Sequence, residues 1–225
     1  MLVATVAASV LYVCLRDRVC DVTGNSMSPA LADGQRVWLI HAEEYGRYDV
    51  VSLRNPYARR GGDSLSLKRI VGLPGDTIQL INKGLYVNGK LQNSDFCRFD
   101  RCDVLPDDSG IRAEERSRCL FPFSSYYRWS KDFYGPLIVP RQGMSIKLTV
   151  GNYVAYKHLI EKYEGSAVQW KDGECVVDGK SAVEYVFKRD YYFVLNDYRD
   201  DPSDSRTFGP VPDGIIVGKV KTLKK

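Results

Sequence analysis

From Gly34 onward the chain falls into short runs rich in β-branched and aromatic residues, each closed by Gly, Pro, Asn or Asp. That spacing suits strands joined by tight turns, not helices. Gln35 to Ile40 (QRVWLI) and Tyr48 to Leu53 (YDVVSL) are the first two such runs. Leu65 to Val71 (LSLKRIV) alternates, with Leu65, Leu67 and Arg69 on one side and Ser66, Lys68 and Ile70 on the other. Gly72-Leu-Pro-Gly-Asp76 then turns the chain into Thr77 to Ile81 and Leu85 to Val87, and Asn88-Gly89 has the composition of a tight hairpin turn.

Residues 91–141 break this rhythm: they are polar, carry cysteines and prolines, and read as an irregular inserted lobe. Asn152 to Tyr163 is the convincing helix of the body, because Tyr153, Tyr156, Leu159, Ile160 and Tyr163 fall at helical spacing. A hairpin region follows with turns at Asp172-Gly173 and Asp178-Gly179, then a buried-looking strand at Tyr191 to Leu195 and a closing one at Ile215 to Val220. The expected fold is mainly β, with an inserted lobe, one clear helix in the body and an N-terminal apolar helix. The divisions are 1–15 for a membrane anchor, 16–90 for the first part of the β core, 91–185 for the inserted lobe with its helix, and 186–225 for the closing part of the core.

Residues 1–15 (MLVATVAASVLYVCL) carry no charged side chain, and Arg16, Asp17 and Arg18 follow at once. The stretch is shorter than the roughly 20 residues that span a bilayer as a helix. It fits the end of a transmembrane helix, a signal peptide or a buried apolar segment. A signal peptide wants a basic leader and a small-x-small cleavage site, and neither is evident, so a membrane anchor is the favoured reading.

The net charge of +4 is too small to argue for nucleic acid. Its most local expression, Lys219, Lys221, Lys224 and Lys225, suits either solvent or anionic lipid. Cys97, Cys102, Cys119 and Cys175 lie in the body, and Cys14 and Cys20 lie at or beside the apolar stretch. No pair has C-x-x-C spacing and the chain has 2 His, so neither a structural zinc site nor a metal mechanism is expected, and no cofactor is implied. Two disulfides among the body cysteines and free buried thiols stand as equal readings.

Three stretches carry chemistry. Gly24-Asn-Ser26-Met-Ser-Pro29 puts a serine among residues that permit unusual turns, shortly beyond the apolar segment. A serine nucleophile needs a base. His41 and His158 have no neighbouring motif that recommends them, whereas Lys68 sits within an apolar strand, where a charge is locally out of place. An unperturbed lysine with a pKa of about 10.4 is almost wholly charged at neutral pH, and burial lowers that value toward a usable base. A lysine on the solvent face of an edge strand is the plainer alternative. The third stretch, Asn196 to Gly209, interleaves Asp197, Asp200, Asp201 and Asp204 with Arg199 and Arg206, as in a loop knitted by carboxylate–guanidinium bonds.

Together these stretches resemble the three conserved boxes of bacterial type I signal peptidases, in the same order: Ser26-Met-Ser-Pro-Ala-Leu31, Lys68-Arg-Ile-Val-Gly-Leu-Pro-Gly-Asp76, and Asn196 to Gly209. Tyr185 to Phe193 and Tyr134 to Pro140 are also similar to members from the Bacteroidetes group. The resemblance implies a membrane-bound serine endopeptidase with its catalytic domain outside the cytoplasmic membrane, on the periplasmic or exterior side. It would remove signal peptides from exported preproteins after a small-x-small motif. It implies Ser26 as nucleophile, with its own N–H (and the region of Gly24) holding the oxyanion, and Lys68 as general base. Arg69, Asp197, Asp204 and Arg206 would form a supporting network. Membrane lipid and exported preproteins are the implied partners; nucleic acid is not.

The chain departs from the pattern at several places. Asn196 and Tyr198 replace a Gly and an Asn of the third box, and Ala30 replaces a Thr. The serine expected to bond the lysine falls on Pro202, with Ser203 one place displaced. These changes keep two alternatives in view: an impaired pseudo-peptidase that binds exported peptides, and a specialised maturation peptidase.

Overall fold

The computed structural model describes residues 18–56, 65–93, 95–100 and 119–222. The apolar N-terminal stretch therefore lies outside the described residues, and among those described no helix is long and apolar enough to cross a membrane.

The β-branched runs pair antiparallel into a seven-stranded sheet. Its strands are β1 (Arg18–Asp21), β2 (Arg36–Ile40), β3 (Val50–Arg54), β4 (Leu65–Gly72), β14 (Tyr191–Leu195), β15 (Val211–Pro212) and β16 (Ile216–Thr222), ordered β1-β2-β16-β3-β4-β14-β15. The expected alternation in β4 is realised: Lys68 faces Val51 across the β3–β4 ladder, and Arg69 faces Val50 on one side and Leu195 on the other. Residues directly opposite one another share a face. Val51, Leu53, Ile70 and Val194 thus build one apolar layer with Tyr192, Phe208 and Val211. On the other face Val37 packs with Val22, Met27 and Leu31. Each such buried side chain contributes about 1.5–3 kcal/mol of transfer free energy, so both faces of β3 and β4 are firmly held. Lys68 belongs to the first of these two faces.

A second sheet, ordered β7-β6-β5-β8, contains β5 (Thr77–Ile81), β6 (Gly84–Val87), β7 (Lys90–Leu91) and β8 (Tyr134–Ile138). Its hairpin turns are Asn82-Lys83 and Asn88-Gly89, all at positive φ, which matches the twist of paired strands. Strand β8 corrects the reading of 91–141 as irregular throughout. Tyr134–Ile138 returns to pair with β5, with a register shift between Ile78 and Leu80. Glycine is required at 135: φ is +83°, and a Cβ there would lie 2.4 Å from the Ile78 carbonyl oxygen. Proline at 136 and an irregular register hid this strand from a periodicity count.

The lobe holds β9 (Ser145–Lys147) paired with β13 (Glu184–Val186), and the hairpin set β10 (Val168–Lys171), β11 (Glu174–Val177) and β12 (Lys180–Ser181). Its helix α1 spans Val150–Leu159, begun by Thr149, whose Oγ1 accepts from the Asn152 N–H. The helix starts two residues before the expected Asn152, and its expected last turn is a π-turn over Ile160–Glu164 ended by Gly165 at φ 72°. The largest core joins this lobe to the second sheet through Tyr134, Tyr156, Leu159, Phe187 and Phe193. Cys20, Cys97, Cys119 and Cys175 are free thiols, while Cys14 and Cys102 lie outside the described residues.

Candidate active site

Lys68 lies mid-strand in β4 and is 5% exposed. Burial pushes its ammonium below the ordinary lysine pKa, and the negative charges of Asp204 and Asp201 oppose that shift without cancelling it. It opens into a cleft of about 550 Å³ whose walls include Ser66, Cys119, Phe123, Ser203 and Phe208. Ser203 therefore lines the same cleft as the lysine although its place in the sequence is displaced. Pro202 serves the turn instead, its carbonyl accepting from the Asp204 N–H at 2.7 Å and from Thr207 Oγ1 at 2.9 Å.

Ser26 follows β1 in a turn that Met27, fully buried, pins to the sheet. Further bonds shape this turn: Ser28 N–H donates to the Asn25 carbonyl at 3.0 Å and Leu31 N–H to that of Met27 at 2.9 Å. Gly24, at φ +82°, donates its N–H to Asp33 Oδ1 at 2.7 Å. That N–H is already engaged, which turns the oxyanion expectation for this turn onto the Ser26 N–H. The Ser26 carbonyl accepts from the Tyr198 N–H at 3.0 Å, so the turn is tied to the loop after β14. Among the described residues no hydrogen bond joins the Ser26 and Lys68 side chains.

The loop after β14 holds two separate ion pairs. Asp197, fully buried, takes a two-pronged grip from Arg69, with Nε at 2.7 Å from Oδ1 and Nη2 on Oδ2 at 2.5 Å. Burial raises the Asp197 carboxyl pKa while the Arg69 fork pulls it back. Arg69 also donates to the Tyr48 carbonyl at 2.8 Å and lies 4.6 Å from the Phe96 ring centroid. The second pair begins α2 (Ser205–Phe208), which Asp204 caps. Asp204 accepts from Arg206 Nε at 2.9 Å, Arg206 Nη2 at 2.8 Å, the Arg206 N–H at 3.0 Å and the Asn196 N–H at 3.1 Å. The structure thus brings together Arg69 with Asp197 and Arg206 with Asp204, as two clamps on either end of one loop.

Sequence reasoning missed the segment that braces this loop. Arg98 N–H donates to the Asp197 carbonyl at 2.8 Å, and Arg199 N–H donates back to the Arg98 carbonyl at 2.9 Å, forming a parallel bridge between Arg98 and Tyr198. A two-bond bridge has no periodicity to detect. Sequence reasoning placed Asp76 in the turn after β4 but not the work of its carboxylate, which accepts from the Leu73 N–H at 2.6 Å, Asn88 Nδ2 at 2.8 Å and Arg47 Nη2 at 2.9 Å and so shapes that turn. Among the described residues no group of 3 or more His, Cys, Asp or Glu gathers to hold a metal ion.

A buried amine of lowered basicity, a serine turn bonded to the same loop and the two carboxylate–guanidinium clamps all fall on the three boxes singled out in the sequence. The family described as "Signal peptidase, peptidase S26" matches residues 1–223. The chain belongs to this family. Among its similar relatives, Signal peptidase I S of Bacillus subtilis (strain 168) is 36% identical over 121 residues, covering 48% of this chain and 62% of that protein. Signal peptidase IB of Staphylococcus aureus (strain Mu50) is 26% identical over 200 residues, covering 88% and 73%. Signal peptidase I P of Bacillus subtilis subsp. natto is 30% identical over 97 residues, covering 41% of this chain and 50% of that protein, so the chain spans less than two thirds of either Bacillus relative. The crystal structure of a signal peptidase I from Enterococcus faecalis V583 aligns with a TM-score of 0.36 at 20% identity, covering 80% of this chain and 98% of that one.

Proposed function

We propose that this chain is a serine endopeptidase that removes N-terminal signal peptides from exported preproteins at the membrane. Its catalytic domain lies on the periplasmic or exterior side, anchored by residues 1–15. The observation that carries the reading is Lys68, a lysine held 95% out of solvent in a cleft with its basicity lowered by burial. Such an amine is suited to accept a proton at neutral pH, unlike a solvated lysine.

Ser26 Oγ attacks the scissile carbonyl carbon while its proton passes to Lys68 Nζ. The Ser26 N–H receives the negative charge that grows on the carbonyl oxygen. Collapse breaks the C–N bond, and the Lys68 ammonium returns its proton to the leaving amine. A water deprotonated by Lys68 then cleaves the acyl ester and frees Ser26. The side chains of Ser26 and Lys68 close to bonding distance with substrate in place, as catalytic hydrogen bonds commonly tighten only in the Michaelis complex. Arg69–Asp197 and Arg206–Asp204 hold the loop that carries the Ser26 turn on one side and Ser203 on the other. Ser203, which lines the same cleft as Lys68, supplies the hydroxyl that is missing at 202.

A pH–rate profile tests this. Since the neutral amine is the active form and the Lys68 pKa is lowered, kcat/KM rises with pH along a limb whose midpoint lies below that of a free lysine, 10.5. Lys68→Ala abolishes the limb together with the rate. A limb centred at or above that of a free lysine would contradict the base assignment. One observation favours a second reading, a peptide-binding pseudo-peptidase: Pro202 stands where the family carries its serine. Binding of an Ala-x-Ala peptide without turnover marks that case.

A further inference from the structure

The cleft that Lys68 opens into has a thiol on its wall. Cys119 is an exposed, free cysteine that lines this cleft of about 550 Å³ together with Lys68, Ser66 and Ser203. Its place is fixed by the residues that follow it. Phe121, fully buried, donates its N–H to the Arg206 carbonyl at 2.9 Å, and its ring lies so close over Gly209 that a Cβ there would come within 2.5 Å of it. The Leu120 carbonyl accepts from the Phe123 N–H at 2.8 Å, which closes the turn. The other described thiols of the body are placed differently. Cys175 is 2% exposed, and burial raises the pKa of both Cys175 and Cys97, which keeps them protonated and slow to attack.

A thiol on a wall does not by itself name a guest, but Lys68 does. It is 5% exposed, and among the described residues its Nζ has no hydrogen-bond partner. Donors left unmade in a buried place are costly, and an oxygen brought in by a ligand relieves that cost. The lining holds this one cation and, among the described residues, no aspartate or glutamate. A carboxylate is therefore the fitting partner, since it takes charge-assisted bonds from an ammonium. The volume lies within the range of about 300–1,000 Å³ typical of small-molecule sites.

We propose that Cys119 is a modification site: it takes up a small carboxylate-bearing disulfide as a mixed disulfide, with the carboxylate seated on Lys68. The Cys119 thiolate attacks one sulfur of the small disulfide. The reagent's S–S bond breaks as the new one forms, and the released thiolate takes up the proton that Cys119 gave. Cys119 is thereby oxidised, and half of the small disulfide is reduced to a thiol. A carboxylate against Lys68 favours its ammonium, so the adduct withdraws the amine's lone pair as well as filling the cleft. That consequence for turnover rests on the peptidase reading above; the adduct itself does not.

The test treats the full chain in detergent with dithiodipropionate, and with bis(hydroxyethyl) disulfide as its uncharged counterpart. Peptide mapping follows the rate at which Cys119 gains each adduct, in wild type and in Lys68→Met. Wild type prefers the carboxylate reagent about tenfold more strongly than Lys68→Met does, the scale of one hydrogen bond to a charged group. Treated wild type stops cleaving an Ala-x-Ala preprotein and recovers on reduction with dithiothreitol, while Cys119→Ser cleaves throughout. Three results overturn the inference: no adduct at Cys119, Cys119 bound to another cysteine of the chain, or the same reagent preference in both proteins. An adduct at Cys119 that leaves cleavage untouched overturns it as well, because the carboxylate is then not on Lys68. If untreated, folded wild type cleaves nothing, the peptidase reading falls, and the reagent preference still decides the site.

Discussion

Lys68→Arg folds and does not turn over. The loss expected is on the order of 10⁴–10⁶-fold in kcat, the range seen when one member of a nucleophile–base unit is removed. The reason is charge, not shape. Arginine fills a similar volume but stays protonated, so the cleft receives a permanent cation where the reaction needs a lone pair. Lys68→Met gives the same loss and makes the sharper test, because it also changes stability. The folded-state pKa of Lys68 lies below that of the unfolded chain. Between those two values the unfolded state binds more protons, so stability rises with pH through that window and the buried lysine costs stability at every pH below it. Methionine, uncharged and similar in length, relieves that cost. The methionine variant is therefore inactive yet unfolds at a higher urea midpoint at pH 7, and its advantage shrinks as the pH approaches 10.5. A lysine that merely lay on a wet edge would behave otherwise: Lys68→Arg would cleave at the wild-type rate and Lys68→Met would show no pH-dependent gain.

Asp204→Ala has the largest effect expected on the fold. Its carboxylate holds four donors, and its partner Arg206 has a side chain 3% exposed. Removing the aspartate leaves a buried guanidinium without its counter-charge, a loss of about 3–5 kcal/mol. It also uncaps α2, worth about 1 kcal/mol more. Urea unfolding with an unchanged slope measures the difference. Arg36→Ala supplies the contrast. Arg36 and Asp21 pair at 3.2 Å on the surface with side chains 67% and 62% exposed, so that loss stays under about 1 kcal/mol. Equal losses from the two variants would mean that the loop is not held by its clamp. Asp204 also supplies part of the negative field that keeps Lys68 protonated, so the pH–rate limb of any folded Asp204→Asn enzyme moves toward lower pH.

Much of this architecture was legible in the residues because each local signal was strong. The alternation of LSLKRIV put Lys68 and Ile70 on one face of β4 and Arg69 on the other, as the ladder has it. Asn88-Gly89 and Asp172-Gly173 sit in their turns with positive φ. That Arg69 and Asp197 belong to one network was suggested by the resemblance alone, which did not say which partner each takes; 128 positions separate the two residues and no spacing rule links them. What stayed hidden depends on long-range contacts. Strand β8 is interrupted by Gly135-Pro136 and exists because β5 offers it an edge. The Arg98–Tyr198 bridge joins the inserted segment to the third box through two backbone bonds. The departure at Pro202 looked more serious in the sequence than in space, where Ser203 reaches the same cleft as Lys68.

The most direct measurement is cleavage of an Ala-x-Ala preprotein by the detergent-solubilised full chain beside Ser26→Ala. The account predicts that wild type cuts after the second alanine and that Ser26→Ala, equally well folded, does not. Cleavage by both would contradict Ser26 as the nucleophile, and cleavage by neither would contradict the peptidase itself.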